Sequence, residues 1–316
     1  MIGSSRACMI ACGFIACGAR TGLKGGSLQD AGASPSAVLF GGYGLSDTWT
    51  WDGAQWAEQA VSGPGQRDNA MMASFHDAVI LFGGAGTDSV PATALGDTWI
   101  WDGSKWTNVT TKGPARSAAA MAQLGDKLVL FGGNPGPSAP DTLLGDTWTF
   151  DGSSWTEVDV KGPPPRTWPM MASLGDKLVL FGGFDHALTP FADTWSWDGS
   201  QWAQIVTPGP SARGSASVAS FEGEVVLFGG LGGGTTPFSD TWVWNGSTWT
   251  ALNVPGPSAR SSAVIAAVGG KLVLFGGDGP NAISMADTWT WDGATWALSA
   301  AVGPSARSAP SMASLP

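Results

Sequence analysis

One short run of residues is repeated six times along this chain. Leu-Phe-Gly-Gly occurs at 39–42, 81–84, 130–133, 180–183, 227–230 and 274–277. An Asp-Thr-Trp follows each copy, beginning at Asp47, Asp97, Asp146, Asp193, Asp240 and Asp287. Beyond the first unit the copies recur every 47–50 residues. A fixed period of this length, made of short apolar runs, predicts a ring of small sheets, each burying its faces against its neighbours.

Residues 67–112 show how one unit folds. Arg67 opens a run of small and apolar residues to Ser74, and a turn follows at His76-Asp77. Ala78 to Phe82 is continuously apolar, as expected of a strand buried on both faces, and Gly83-Gly84 ends it. After a variable loop, Asp97-Thr98-Trp99-Ile100-Trp101 alternates Trp on one face with Thr and Ile on the other. Asp102-Gly103 is a tight turn, and Trp106 starts a more polar fourth strand that stops before Gly113-Pro114. Four antiparallel strands per unit make one propeller blade.

Three Trp positions per unit give eighteen slots. Phe150 occupies one, seventeen Trp fill the others, and Trp168 alone stands outside the pattern. The seventeen read as packing between blades. The first unit lacks its own first strand, whereas Arg307 to Leu315 is a first strand with nothing after it. The expectation is therefore an all-β, six-bladed propeller over residues 37–316, closed by the C-terminal strand pairing into the first blade, which removes the exposed sheet edges.

The diglycine, the aromatic pair and the following Trp resemble the kelch repeat, whose units form β-propeller blades. The resemblance covers residues 37–316. One departure stands out: where many kelch units carry His three residues after the first-strand Arg, this chain has Ala70, Ala119, Pro169, Ala216, Ala263 and Pro310.

Residues 1–17 contain all three cysteines, Cys8, Cys12 and Cys17, and an apolar stretch too short to span a bilayer. They read as an export signal. Phe14-Ile15-Ala16-Cys17 resembles a bacterial lipobox, which makes Cys17 the expected lipid-attachment residue. Gly18 after it, by resemblance to other lipoproteins, favours the outer membrane over the inner. Residues 18–36, rich in Gly, Ser and Ala, read as a flexible tether. The protein is thus expected to be exported, either anchored at the outer membrane or extracellular, and monomeric, touching membrane only through the lipid.

The formal charge is −10, but eleven of the acids and six of the eight arginines sit at repeat positions. The charge is mostly structural, and no basic stripe exists for nucleic acid. Six equivalent arginines (67, 116, 166, 213, 260 and 307) read as structural partners of nearby loops or carbonyls rather than as an anion-binding ring.

Function is expected on the face carrying the loops after Gly-Gly, because variation on a rigid scaffold is where binding usually resides. Trp168 breaks the repeat there, at the position held elsewhere by Asn69, Ala118, Ser215, Ser262 and Ala309. It is either a stacking platform or a plug for the channel top. Asp68 and Asn69 add polar groups at the same level, and Phe184-Asp185-His186 is the most chemically varied loop. These six residues are the candidate ligand contacts. Tyr43, the only tyrosine, reads as packing within its short loop.

No catalytic, metal or cofactor site is expected. Galactose oxidase-like copper chemistry needs two Tyr, two His and a Cys, against one Tyr, two His and no Cys in residues 37–316. The acids of the variable face (Asp68, Asp88, Asp141, Asp185 and Asp278) suggest no paired carboxyls for glycoside hydrolysis. The Gly-rich Leu231 to Gly234 lacks the following helix of a phosphate cradle. The expected function is a binding or scaffolding module for an envelope protein or an extracellular glycan. The alternative is a carbohydrate-active enzyme using a channel-mouth Asp beside Trp168.

Overall fold

A computed structural model describes residues 36–88, 92–137, 139 and 142–316. The expected export signal, Cys17, the tether as far as Pro35 and Asp141 lie outside the described residues. Ser36 is already in a strand.

Six four-stranded antiparallel sheets follow one another, with a small three-stranded sheet beside the second. Blade 2 is typical. Its strands run, from the axis outward, Met71–Phe75, Ala78–Phe82, Thr98–Trp101 and Trp106–Val109. Blade 1 is assembled from both ends of the domain: Ser311–Leu315 pairs antiparallel with Ser36–Gly42, in the register Leu39 opposite Met312. Leu45–Trp51 and Trp56–Gln59 complete it. The innermost strands contact each other in a closed cycle, with Ser311–Leu315 between Val264–Val268 of blade 6 and Met71–Phe75 of blade 2. The predicted closure is the observed one.

Two devices fix neighbouring blades together. The strand-four Trp of each blade donates its indole N–H to the Thr of the preceding blade's Asp-Thr-Trp. Trp106 Nε1 to Thr48 Oγ1 is 3.0 Å and Trp249 Nε1 to Thr194 Oγ1 is 3.0 Å. Trp56 to Thr288, at 2.9 Å, carries the same bond across the closing seam. Each of these rings also packs on the preceding blade's Phe, as Trp249 does on Phe181 with centroids 5.4 Å apart. The second device is the Gly of each Gly-Pro link, which lies flat on the next blade's Trp. A Cβ at Gly209 would come 2.8 Å from Trp249 Cδ1, and one at Gly303 would come 2.5 Å from Trp56 Cδ1. Close approach of the indole, not backbone conformation, demands glycine there.

Within a blade the arginine is the clamp. Arg213 Nη1 and Nη2 donate to Asp240 Oδ1 and Oδ2 at 2.6 and 2.9 Å, and Nη1 also reaches the Gly229 carbonyl at 2.9 Å. The five equivalents pair Arg67 with Asp97, Arg116 with Asp146, Arg166 with Asp193, Arg260 with Asp287, and Arg307 with Asp47. A planar guanidinium suits this bidentate geometry, and every one of the six is buried. Burial pushes the Asp240 carboxyl up, but the bonds from Arg213 and from the Trp242 indole, with the guanidinium charge, outweigh it and hold the group below its ordinary value. These arginines are structural, as their equivalence implied.

The tryptophans divide into two classes. Trp101, Trp197, Trp244 and Trp291 are fully buried and the strand-four Trp nearly so. The first Trp of each Asp-Thr-Trp is only half-buried and ties its indole to the clamp, as Trp242 Nε1 does to Asp240 Oδ2 at 2.7 Å. Not all seventeen are core.

Candidate ligand-binding site

The site is built from two positions that recur in every blade. The residue after each clamp arginine pairs with the first residue after Gly-Gly: Thr167 with Phe184, Gly214 with Leu231, Ser261 with Asp278. The residue after that turns inward and is left-handed in all six blades, at Asn69, Ala118, Trp168, Ser215, Ser262 and Ala309, with φ between 47° and 55°. None is glycine. Main-chain hydrogen bonds link them round the axis: Ala118 N to Asn69 O at 2.9 Å, Trp168 N to Ala118 O at 2.8 Å, Ser215 N to Trp168 O at 3.2 Å, Ser262 N to Ser215 O at 2.8 Å, and Asn69 N to Ala309 O at 3.2 Å. This collar forms the rim of the central channel. A left-handed conformation costs a residue with a Cβ roughly 1–2 kcal/mol, and such strain gathers where surrounding structure holds it for a purpose.

Below the collar the channel is narrow, with a neck of about 140 Å³ leading to a bore of about 200 Å³. Ala70, Ala119, Pro169, Ala216, Ala263 and Pro310 line it, the positions where the kelch histidine is replaced. Above the collar a cavity of about 820 Å³ opens between the loops of blades 4, 5 and 6. Phe184 and Leu188 supply its wall from blade 4, Leu231 to Thr235 from blade 5, and Asp278, Gly279, Asn281 and Ala282 from blade 6. Among the described residues, eight of the eleven left-handed non-glycine positions line this cavity: Asn69, Trp168, Leu188, Ser215, Ser262, Asn281, Ala282 and Ala309.

Trp168 lies between cavity and neck and lines both. Its main chain belongs to the collar, and its indole N–H reaches past blade 3 to Asn69 Oδ1 at 2.8 Å. Asn69 in turn donates Nδ2 to Asp68 Oδ1 at 3.0 Å, which fixes the amide with its oxygen toward the indole. Phe184 braces the ring edge-on, with centroids 6.2 Å apart at 88°. Phe184 itself rests on Gly214, where any Cβ would collide with it. The indole is thereby held as a partition across the channel mouth, half-buried.

The six candidate contacts separate. Asn69, Trp168 and Phe184 come together on the cavity wall. Asp68 stands behind Asn69, buried, and desolvation pushes its carboxyl up despite the bond from Asn69. Asp185 and His186 are outside the lining; the Asp185 carboxylate accepts from the Thr189 N–H at 2.8 Å, which shapes its own loop. Phe191 and Phe238 cover clamp arginines, 4.1 Å from Arg166 Cζ and 4.0 Å from Arg213 Cζ. Tyr43 does not pack: the turn joining Ser36–Gly42 to Leu45–Trp51 is too short to fold over it, and it is 74% exposed.

Sequence reasoning did not name Ser261 or Ser308, and it did not single out Ser262 or Asp278 as candidate contacts. Asp278 Oδ1 accepts from Ser284 Oγ at 2.8 Å, and Oδ2 accepts from Ser308 Oγ of blade 1. Their only signal in the chain is register, one and two residues after each clamp arginine or directly after Gly-Gly. No three His, Cys, Asp or Glu side chains among the described residues gather as a metal site.

Residues 31–183 match the family model described as the KLHDC2/KLHL20/DRC7 Kelch-repeats domain. The fold is a kelch-type β-propeller. The matched stretch ends at Gly183, within blade 4, and the same strand order and clamp continue through blades 5 and 6. No curated protein gives a match to this chain.

Proposed function

We propose that this kelch propeller is a non-catalytic binding or scaffolding module of the bacterial cell envelope or exterior, taking a protein or glycan partner on its loop face. The observation that carries the reading is the cavity of about 820 Å³ above the collar, in the size range of ligand sites and lined by apolar walls with a few converging polar groups. A rigid six-blade base that carries its variable loops on one face, three of them around that cavity, is the architecture of a recognition surface.

The enzymatic alternative has less support. Among the described residues Asp278 is the sole carboxylate on the cavity wall, whereas hydrolysis of a glycosidic bond uses two. Asp68, with its raised pKa, sits behind Asn69 and off the wall.

Location rests on the leader: the apolar segment ending at Cys17 supports export and lipid anchoring, and Cys17→Ser should move the protein out of the membrane fraction. Unchanged partition would refute anchoring at that residue. The binding reading is tested by retention on purified envelope material. Trp168→Ala and Leu188→Asp should weaken retention, Glu222→Ala on the opposite face should not, and no saccharide product should form. Equal retention of all variants, or turnover abolished by Asp68→Asn, would contradict it.

A further inference from the structure

Resting on that reading, we infer that the cavity is a site for an uncharged saccharide, stacked on the outer face of Trp168 and hydrogen-bonded by the serine–Asp278 group at the opposite wall. Three features select this class.

The first is the platform. An indole fixed at its main chain by the collar and at Nε1 by Asn69 loses no rotamer freedom when a ligand settles on it. Its cavity-side face meets no aromatic partner parallel to it, since Phe184 approaches edge-on. The flat, C–H-bearing side of a sugar ring buries apolar area against such a surface while its hydroxyls point away.

The second is charge. Among the described lining residues there is no Lys, Arg or His, and the nearby clamp arginines are buried and spent on their own Asp. A carboxylate, sulfate or phosphate in this cavity would lose water and gain no cation, with Asp278 repelling it. Acidic sugars and anionic peptides are thereby disfavoured.

The third is the direction of the hydrogen bonds. Ser308 and Ser284 spend their protons on Asp278, so Ser308 on the wall is left as an acceptor, and the carboxylate keeps lone pairs beyond those two bonds. The site therefore asks for donors. A single ammonium would meet that demand at one point, but Ser215, Ser261 and Ser262 extend the hydroxyl row along the wall beyond it. Several hydroxyls on one ring match the row better than one cation does.

The test is a glycan array with the full chain, uncharged oligosaccharides beside their uronic-acid and sulfated counterparts, with lysine-rich peptide as a competitor. Expected is binding to uncharged members at least tenfold tighter than to the charged ones. Trp168→Ala should cost tenfold or more, Trp168→Phe less because a stacking face remains, and Asp278→Asn should also weaken binding. Tyr43→Ala, outside the cavity, should bind as wild type. Thermal melting separates loss of the site from loss of the fold. Preference for anionic glycans, displacement by lysine-rich peptide alone, or indifference to Trp168→Ala would overturn the saccharide assignment. An array without signal would overturn it too, yet leave the binding-module reading standing if envelope retention still depends on the loop face.

Discussion

Gly209→Ala separates two explanations of the Gly-Pro links by the sign of its effect. Gly209 has no left-handed φ, so alanine can adopt the backbone without strain. If the glycine served only chain flexibility, alanine would reduce the freedom of the unfolded chain and stabilise by about 0.4–1 kcal/mol. The structure requires the opposite. The new Cβ would lie 2.8 Å from Trp249 Cδ1 and 3.3 Å from Cγ, against the roughly 3.5–4.0 Å at which carbon atoms rest. Trp249 cannot retreat: its Nε1 is tied to Thr194, and its ring is held between Phe181 and Trp244 at 5.4 and 5.3 Å. Overpacking at so fixed a site costs about 1–3 kcal/mol. Equilibrium urea unfolding reads the difference as a lowered midpoint at unchanged slope. Gly65→Ala is the control, since a Cβ there meets nothing within 4 Å. In a Trp249→Leu background the cost of Gly209→Ala should largely vanish. A raised midpoint for the single variant, or an equal cost in both backgrounds, would refute the argument.

Acid stability follows from the clamps. Burial raises the carboxyls of Asp47, Asp97, Asp146, Asp193, Asp240 and Asp287, but arginine bonding overrides it and leaves each below its ordinary value. A depressed folded-state pKa gives stability that is present above the unfolded value, about 3.9, and lost as pH falls through the folded one. Urea midpoints should therefore change little from neutral pH down to about 5 and drop below about 4; a midpoint constant to about pH 3 would contradict this. Asp68 behaves oppositely: its raised pKa means stability present in acid and lost as pH rises, so Asp68→Asn should raise the midpoint at neutral pH and not below about pH 3. A lowered neutral-pH midpoint would show that its charge has a partner. Deleting residues 307–316 removes the inner strand of blade 1 and the Arg307–Asp47 clamp, and should leave an unfolded or aggregated product by circular dichroism. A soluble product melting as the full chain does would remove the closure.

The blade was legible in the chain because its punctuation is redundant. Each diglycine, Asp-Thr-Trp and strand-four Trp marks one strand, and six copies fix a register that one copy would leave ambiguous. The orphan strand after Arg307 then had one vacant place to go. Half of the candidate site was legible in the same way, since Trp168 is conspicuous by breaking a pattern. The collar was not. A left-handed turn is ordinarily announced by Gly or Asn, and of its six residues only Asn69 belongs to those types. Without the collar nothing directs Trp168 across the mouth to Asn69. The pairing of Asp278 with Ser308 was equally hidden, because the two outer strands of blade 6 lie between them and nothing in that stretch announces the contact.

Closure can be measured directly by cross-linking the two paired ends. Ser36 and Leu315 stand opposite each other in adjacent strands, whereas Ser314 is one place out of register and directed to the other face. In a background with Cys8, Cys12 and Cys17 replaced by Ser, the pair Ser36→Cys with Leu315→Cys should oxidise readily to a circular species, visible as a mobility shift on non-reducing electrophoresis. Ser36→Cys with Ser314→Cys should not. Equal oxidation of both pairs, or of neither, would mean that the ends do not meet in this register and that the ring is closed in some other way.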